Sequence, residues 1–279
     1  MTVLRRRMTF RSTGFASAVV ALAFCQPAFA REPRSPDRAG GRRAEVLSGT
    51  FSGMVVTLFV PRQMVQSWLP QGLQVAQECP YQDRPVIILF GSIDDLTREK
   101  RVTVKPRFGR HYLETFIAVP YLKLENSPQA RSVFHFVRVY SDSAKGTTQG
   151  IKKYGWPKVL APIQTTGTTY RILRDGATPI FAAEMHPGLA QAADMNLNSL
   201  ERIREMLSQP MVLKHDGAFH AYAFDFHLEK ASIASLPTDV EVRNGFLPQF
   251  QLAKKSFPGI ADAEFGAFHV ECRYTKTPL

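Results

Sequence analysis

Cysteine is scarce in this chain, with three among 279 residues. Cys25 sits in a leader-like segment, which leaves Cys79 and Cys272. Two cysteines make no disulfide scaffold, so the fold must rest on a hydrophobic core; their wide separation leaves pairing open. No apolar run approaches the roughly 20 residues that a membrane-spanning helix needs. The patterns G-x-S-x-G, H-E-x-x-H and the phosphate-binding P-loop are missing, which argues against three large enzyme classes. His186, His215, His220 and His227 lack metal-ligand spacing, and His269-Val270-Glu271 lacks a downstream Pro-Cys-x-x-Cys. No metal or other cofactor is expected. There is no basic helix and no aromatic–basic repeat, so nucleic acid is not an expected partner.

The first thirty residues have the form of a secretory signal. Arg5, Arg6, Arg7 and Arg11 make a basic start, residues 14–24 an apolar stretch, and Ala28-Phe29-Ala30 an A-x-A cleavage site. Cleavage after Ala30 would give a periplasmic or secreted product with no lasting membrane anchor. It would also remove four arginines and no acid, taking the net charge from +11 to +7. Residues 31–45 are rich in Arg, Pro and Gly without apolar period, as expected of a disordered basic arm. That arm holds a further +3, so the folded part carries an ordinary balance of about +4. Residues 46–279 suit one large domain.

Along that domain, residues 51–60 and 85–93 are apolar runs expected as buried strands. Between them, Pro61 at a first helical position opens a short helix with Val65, Trp68 and Leu69 on one face, stopped by Pro70-Gln71-Gly72. Residues 97–110 carry Arg98, Lys100, Arg101, Lys105, Arg107 and Arg110. They are expected as a solvated hairpin, with Arg107 or Arg110 the candidate to reach a site mouth. Residues 112–124 and 132–140 are expected core strands; in the second, Phe134, Phe136 and Arg138 alternate with His135, Val137 and Val139. One strand is expected over residues 165–173. Asn198-Ser199-Leu200-Glu201 has the form of a capping box before a helix. In residues 221–230, Tyr222, Phe224, Phe226 and Leu228 alternate with Asp225, His227 and Glu229, the pattern of a half-buried strand. Many strands, few helices and no βαβ rhythm predict an α+β domain, mainly antiparallel β, on a curved or closed β-barrel-like sheet.

The chemistry centres on Tyr154-Gly155-Trp156-Pro157-Lys158-Val159-Leu160-Ala161-Pro162. Gly155 gives backbone freedom, and Pro157 fixes its own φ and biases Trp156 towards extended backbone. Val159, Leu160 and Ala161 then continue as a short apolar strand that would carry the Lys158 ammonium into a core wall. By burial statistics alone such a lysine ends a turn in water. The whole pattern, with Gly150 upstream, resembles the active-site segment of the acetoacetate decarboxylase family, where the lysine after the proline is the Schiff-base nucleophile. Tyr112-Leu113-Glu114, with Pro120 six residues on, resembles the family's segment carrying the active-site glutamate. Leu69-Pro70 and Pro210-Met211-Val212-Leu213-Lys214 are weaker echoes.

The resemblance implies a β-barrel-like core, a homo-oligomer, Lys158 as nucleophile and Glu114 as acid/base or orienting group. Trp156, Tyr112, His135 and Val159 are the candidate pocket residues. An amine must be neutral to attack a carbonyl, and burial disfavours ammonium. Where the family has a second lysine this chain has Val159, so desolvation by Trp156, Val159 and Leu160 is expected to do the tuning. The family's early arginine has no counterpart in Gly49-Thr50-Phe51-Ser52-Gly53, and the glutamate just upstream of the family motif corresponds to Lys152. The expected activity is that of an exported lysine-dependent lyase, acetoacetate decarboxylase-like, on a small-molecule β-keto acid or related carbonyl compound. The alternatives are a non-catalytic small-molecule-binding protein on the same scaffold, or an aldolase or dehydratase using the same lysine.

Overall fold

A near-continuous apolar strand is one that buries both faces, and the first strand, β1 (Val46–Val60), does so. Phe51 and Val55 enter one core while Met54, Val56, Leu58 and Val60 enter a second. The computed structural model describes residues 46–100, 103–106, 111–126, 131–186, 197–227, 232–235, 238–243, 245–247, 256–257 and 268–278. The leader, the basic arm, Arg107, Arg110 and residues 228–230 lie outside the described residues, as do the side chains of Arg98, Lys100, Lys105 and Cys272. All described elements belong to one compact unit, Arg43–Leu279.

After β1 come α1 (Arg62–Trp68), β2 (Leu73–Val75), β3 (Arg84–Lys100), β4 (Thr103–Pro106), β5 (His111–Leu124) and β6 (Val133–Ser141). Then follow α2 (Ala144–Tyr154), β7 (Lys158–Leu160), β8 (Ile163–Thr166), β9 (Thr169–Arg174), β10 (Thr178–Met185) and α3 (Leu197–Leu207). The chain ends in β11 (Met211–His215), β12 (Ala218–Asp225), β13 (Ser232–Ser235), β14 (Thr238–Val242), β15 (Ser256–Phe257) and β16 (Phe268–Pro278). The large sheet runs β2-β5-β3-β1-β16-β12-β11-β6-β7, with β4 and β13 joined at its side; a second runs β15-β14-β10-β9-β8. The large sheet curves far enough for β6 to pair with β5 on one flank and β11 on the other. The β11 contact is a single parallel bridge, Met211↔Phe134, so the form is a curved, mainly antiparallel sheet rather than a fully laddered barrel. One core, around Phe51, Phe116, Phe136, Trp156 and Phe224, also takes Ile203, Met206 and Leu207 of α3. The other joins the large sheet to the small one through Phe90, Tyr170, Phe181 and Phe246.

Several expected boundaries move, each for a local reason. Pro61 is the N-cap of α1 rather than its first turn. The span 165–173 is the β8–β9 hairpin, broken at Gly167, whose φ of 56° suits a turn and not a strand. The helix α3 begins at Leu197, ahead of the expected cap. β12 stops at Asp225, and His227 has a positive φ of 44°. Cys79 is free and buried. No helix among the described residues is long and apolar enough to cross a membrane.

The departure that matters most is in β6. Ile117 pairs with Arg138 but Ala118 pairs with Phe136, so Val137 is an extra residue, a β-bulge. Simple alternation would send Val139 to the face opposite Phe134 and Phe136. The bulge reverses the parity, and Val139 joins those phenylalanines in one core.

Candidate active site

That parity reversal places the lysine. β7 lies parallel to β6 with Lys158 opposite Val139, and Val139 lies opposite Phe116 on β5. Opposed residues share a face, and so do residues two apart on one strand. Lys158, Val139, Phe116 and Glu114 therefore look into the same core, and Lys158 Nζ contacts Glu114 Oε1. The lysine side chain is 8% exposed and that of the glutamate 2%.

The wall around this pair is aromatic. Lys158 Nζ lies 5.2 Å from the ring centre of Trp156 and 5.9 Å from that of Tyr112. Trp156 stacks on Phe136 at 5.4 Å and meets Phe224 edge-on at 5.9 Å. Aromatic faces attract a cation and at the same time exclude water. Val159 and Leu160 do not help: the strand alternation turns Val159 away, and the two are 39% and 53% exposed. Desolvation thus comes from Trp156, Tyr112 and Phe116.

The helix α2 sets the reach of the lysine. Ser143 caps it, accepting from the Gly146 N–H, and Gly155 ends it at φ 65° with its N–H donating to Ile151 O. A Cβ at Gly155 would come within 2.6 Å of His215 Cβ, so the turn into Trp156 is pressed against β11. On the buried face of α2, Gly150 lies on the lysine stem: a Cβ there would sit 2.8 Å from Lys158 Cδ and 3.1 Å from Cε. Gly150→Ala should therefore displace the stem and slow carbonyl capture by Lys158 by about 100-fold. Because alanine favours a helix over glycine by about 1 kcal/mol, the thermal midpoint should hardly fall. Capture at the wild-type rate would mean the stem does not need this gap.

Burial pushes the Glu114 carboxyl above its ordinary value, and Asp142 adds to this; Lys158 and a hydrogen bond from Ser141 pull the other way and lose. The Tyr170 hydroxyl, from β9 beneath, donates to the Glu114 backbone carbonyl at 3.2 Å and lies 3.0 Å from Thr115 Oγ1, which holds this part of β5 in place. His135 lies elsewhere. It pairs with Val119 on the opposite face of β6, and its Nδ1 lies 2.8 Å from Val212 O. Burial lowers its pKa to about 4, so it stays neutral there.

No protein-family model matches the chain, and no curated protein matches it in sequence. Solved structures do. An acetoacetate decarboxylase from Legionella pneumophila subsp. pneumophila str. Philadelphia 1 superposes with TM-score 0.51 and 16% identity, over 96% of each chain. An acetoacetate decarboxylase-like enzyme from Sphingomonas wittichii RW1 gives 0.52 at 13% identity, over 84% of this chain and 92% of the other. A further acetoacetate decarboxylase gives 0.52 at 13%, over 85% and 88%. The fold is acetoacetate decarboxylase-like.

In this acetoacetate decarboxylase-like fold, then, the structure brings Lys158, Glu114, Tyr112 and Trp156 together, and leaves His135 and Val159 apart from them. Ser141, Gly150 and α2 as a whole were not singled out by sequence. The helix has two glycines and two threonines, poor helix formers, though Lys152-Lys153 before Gly155 is a helix-end signal. A separate groove of about 430 Å³ on the small sheet is lined by Arg171, Glu184, Asp239, Glu241 and Arg243 among others. None of these is on an element carrying Lys158 or Glu114, and Arg243 is already paired with Glu241. Among the described residues no group of three or more His, Cys, Asp or Glu is placed to hold a metal ion.

Proposed function

We propose that the protein is an exported, lysine-dependent lyase that joins Lys158 to a β-keto acid or related carbonyl compound as a Schiff base. The observation that carries this reading is the contact of Lys158 with Glu114, both buried, inside an aromatic wall. The fold, shared with decarboxylases, supports it. A buried ion pair costs desolvation of both ions. Passing one proton from Nζ to Glu114 leaves two neutral groups, and burial already favours a proton on Glu114.

The free nitrogen pair forms the N–C bond to the substrate while the C=O pair moves to oxygen. Proton transfer from nitrogen to oxygen gives a carbinolamine; Glu114 protonates its hydroxyl, water leaves, and the nitrogen pair closes a cationic C=N bond. With a β-keto acid, the bond to the carboxylate carbon breaks, CO2 departs, and the electron pair neutralises the iminium as an enamine. Return of a proton to carbon, from solvent through Glu114, and hydrolysis free Lys158. An aldol or dehydration route uses the same iminium and differs in the bond broken.

The resting ion pair favours a second reading, in which the ammonium docks a ligand without reacting. Borohydride reduction in the presence of keto acids and aldehydes separates the two. A reduced adduct mapped to Lys158 is expected; its absence in folded protein at every pH up to about 9 would leave only the binding reading. The same intact mass tests export, since the mature chain should begin at Arg31. Native mass of that preparation tests the proposed self-association, for which the exposed Ile151, Val159 and Leu160 beside edge strand β7 offer a surface.

A further inference from the structure

We infer that Ser141 is a positioning residue of this site, holding Glu114 and setting when it gives up its proton. The inference rests on the Schiff-base reading for its catalytic consequence, though not for its physical basis. Ser141 is the last residue of β6, fully buried, and lies directly opposite Glu114 on β5 and Leu160 on β7. Its backbone carbonyl accepts from the Ala161 N–H at 3.0 Å, which ties it to the segment leaving the lysine strand. Its hydroxyl oxygen accepts from the Ser143 backbone N–H at 3.3 Å. Ser143 is itself held as the N-cap of α2. A hydroxyl has one proton and two lone pairs. With Ser143 occupying the oxygen, the proton is left to donate to the Glu114 carboxylate, which is within reach.

The groups acting on the Glu114 carboxylate come from three directions. Lys158 approaches from β7, Ser141 from β6, and Asp142 from the residue after β6, the last by charge repulsion. Tyr112 lies two residues away on its own strand, and Tyr170 from β9 takes only the backbone carbonyl. The lysine contribution changes during the reaction: the iminium is cationic and the enamine neutral. At the enamine stage Ser141 is thus the remaining donor to Glu114 among these groups. A donor to the ionised form favours that form. Ser141 therefore opposes burial, keeping Glu114 able to accept a proton from carbon and to release it again. The device links α2 to the acid: the cap that starts the helix fixes Ser143, Ser143 orients the Ser141 hydroxyl, and the same helix supplies Gly150 under the lysine stem.

The test compares Ser141→Ala and Ser141→Thr with the wild type. Glu114 is followed by 13C NMR of its side-chain carboxyl, assigned by its disappearance in Glu114→Gln. Alongside, α-proton exchange of acetone is measured in D2O against pH. The Ser141→Ala carboxyl should titrate about one pH unit or more higher, because a hydrogen bond to an ionised group is lost in a buried place. The acid limb of the exchange profile should move with it, and Ser141→Thr should restore both. A carboxyl titration in Ser141→Ala that overlays the wild type, in protein of unchanged circular dichroism, would overturn the inference. The NMR readout needs no turnover. Absence of exchange in the wild type would count against the Schiff-base reading and leave the role of Ser141 decided by the titration.

Discussion

Lys158→Met should lose turnover by on the order of 10⁴-fold or more, as removal of a covalent nucleophile does, and its stability should become pH-dependent. Methionine fills the stem's volume but leaves Glu114 without its cation. The two influences of Lys158 on that carboxyl, charge and hydrogen bond, both lower its pKa. Removing them raises a value that burial has already raised. A carboxyl that holds its proton more tightly in the folded chain stabilises the fold in acid, below its unfolded value. That contribution disappears as pH climbs through the folded value. The variant should therefore nearly match the wild type near pH 5 and fall short by about 3–5 kcal/mol at pH 8, the range for breaking a buried pair. Urea midpoints at the two pH values measure this. A deficit equal at both would mean that Glu114 is not sealed against the lysine, and retained turnover would remove Lys158 from the chemistry.

Glu114→Gln should separate capture from turnover. The amide keeps the shape and still accepts a hydrogen bond from the amine, so borohydride trapping on Lys158 should persist. It cannot supply or take a proton, and turnover should fall by about 10²–10⁴-fold, the usual weight of a positioned acid/base. Wild-type turnover in this variant would reduce Glu114 to a structural partner of the lysine. Loss of trapping as well would mean that Glu114 acts first on the amine.

Read in order, the chain showed much of its fold. The apolar runs at 51–60 and 85–93 lie within β1 and β3. The aromatic alternation of Tyr222, Phe224 and Phe226 points one way into the core. Local chemistry misled where it competed with pairing. The threonine-rich run at 165–173 has strand composition throughout, yet turns at Gly167 to lay β8 on β9. The glycine-poor rule for helices hid α2, whose glycines are there because Gly146 and Gly150 are buried and the lysine stem crosses the second. His135 and Val159 sit next to core strands in sequence, but a strand's two faces are assigned only when its partner is known.

The sequence by itself determined that this is a mainly β chain with its core in long apolar strands. It also determined that one lysine stands in a proline-bracketed turn and one glutamate in a core strand. Those are local matters, settled by composition, periodicity and the backbone limits of Gly155 and Pro157. Only the tertiary structure decided that these two residues, 44 apart, meet, that Ser141 stands opposite the glutamate, and that α2 closes over the lysine. The reason is geometric: facing is set by strand register, and one extra residue at Val137, visible only against β5, turns Val139, and the strand paired with it, inward.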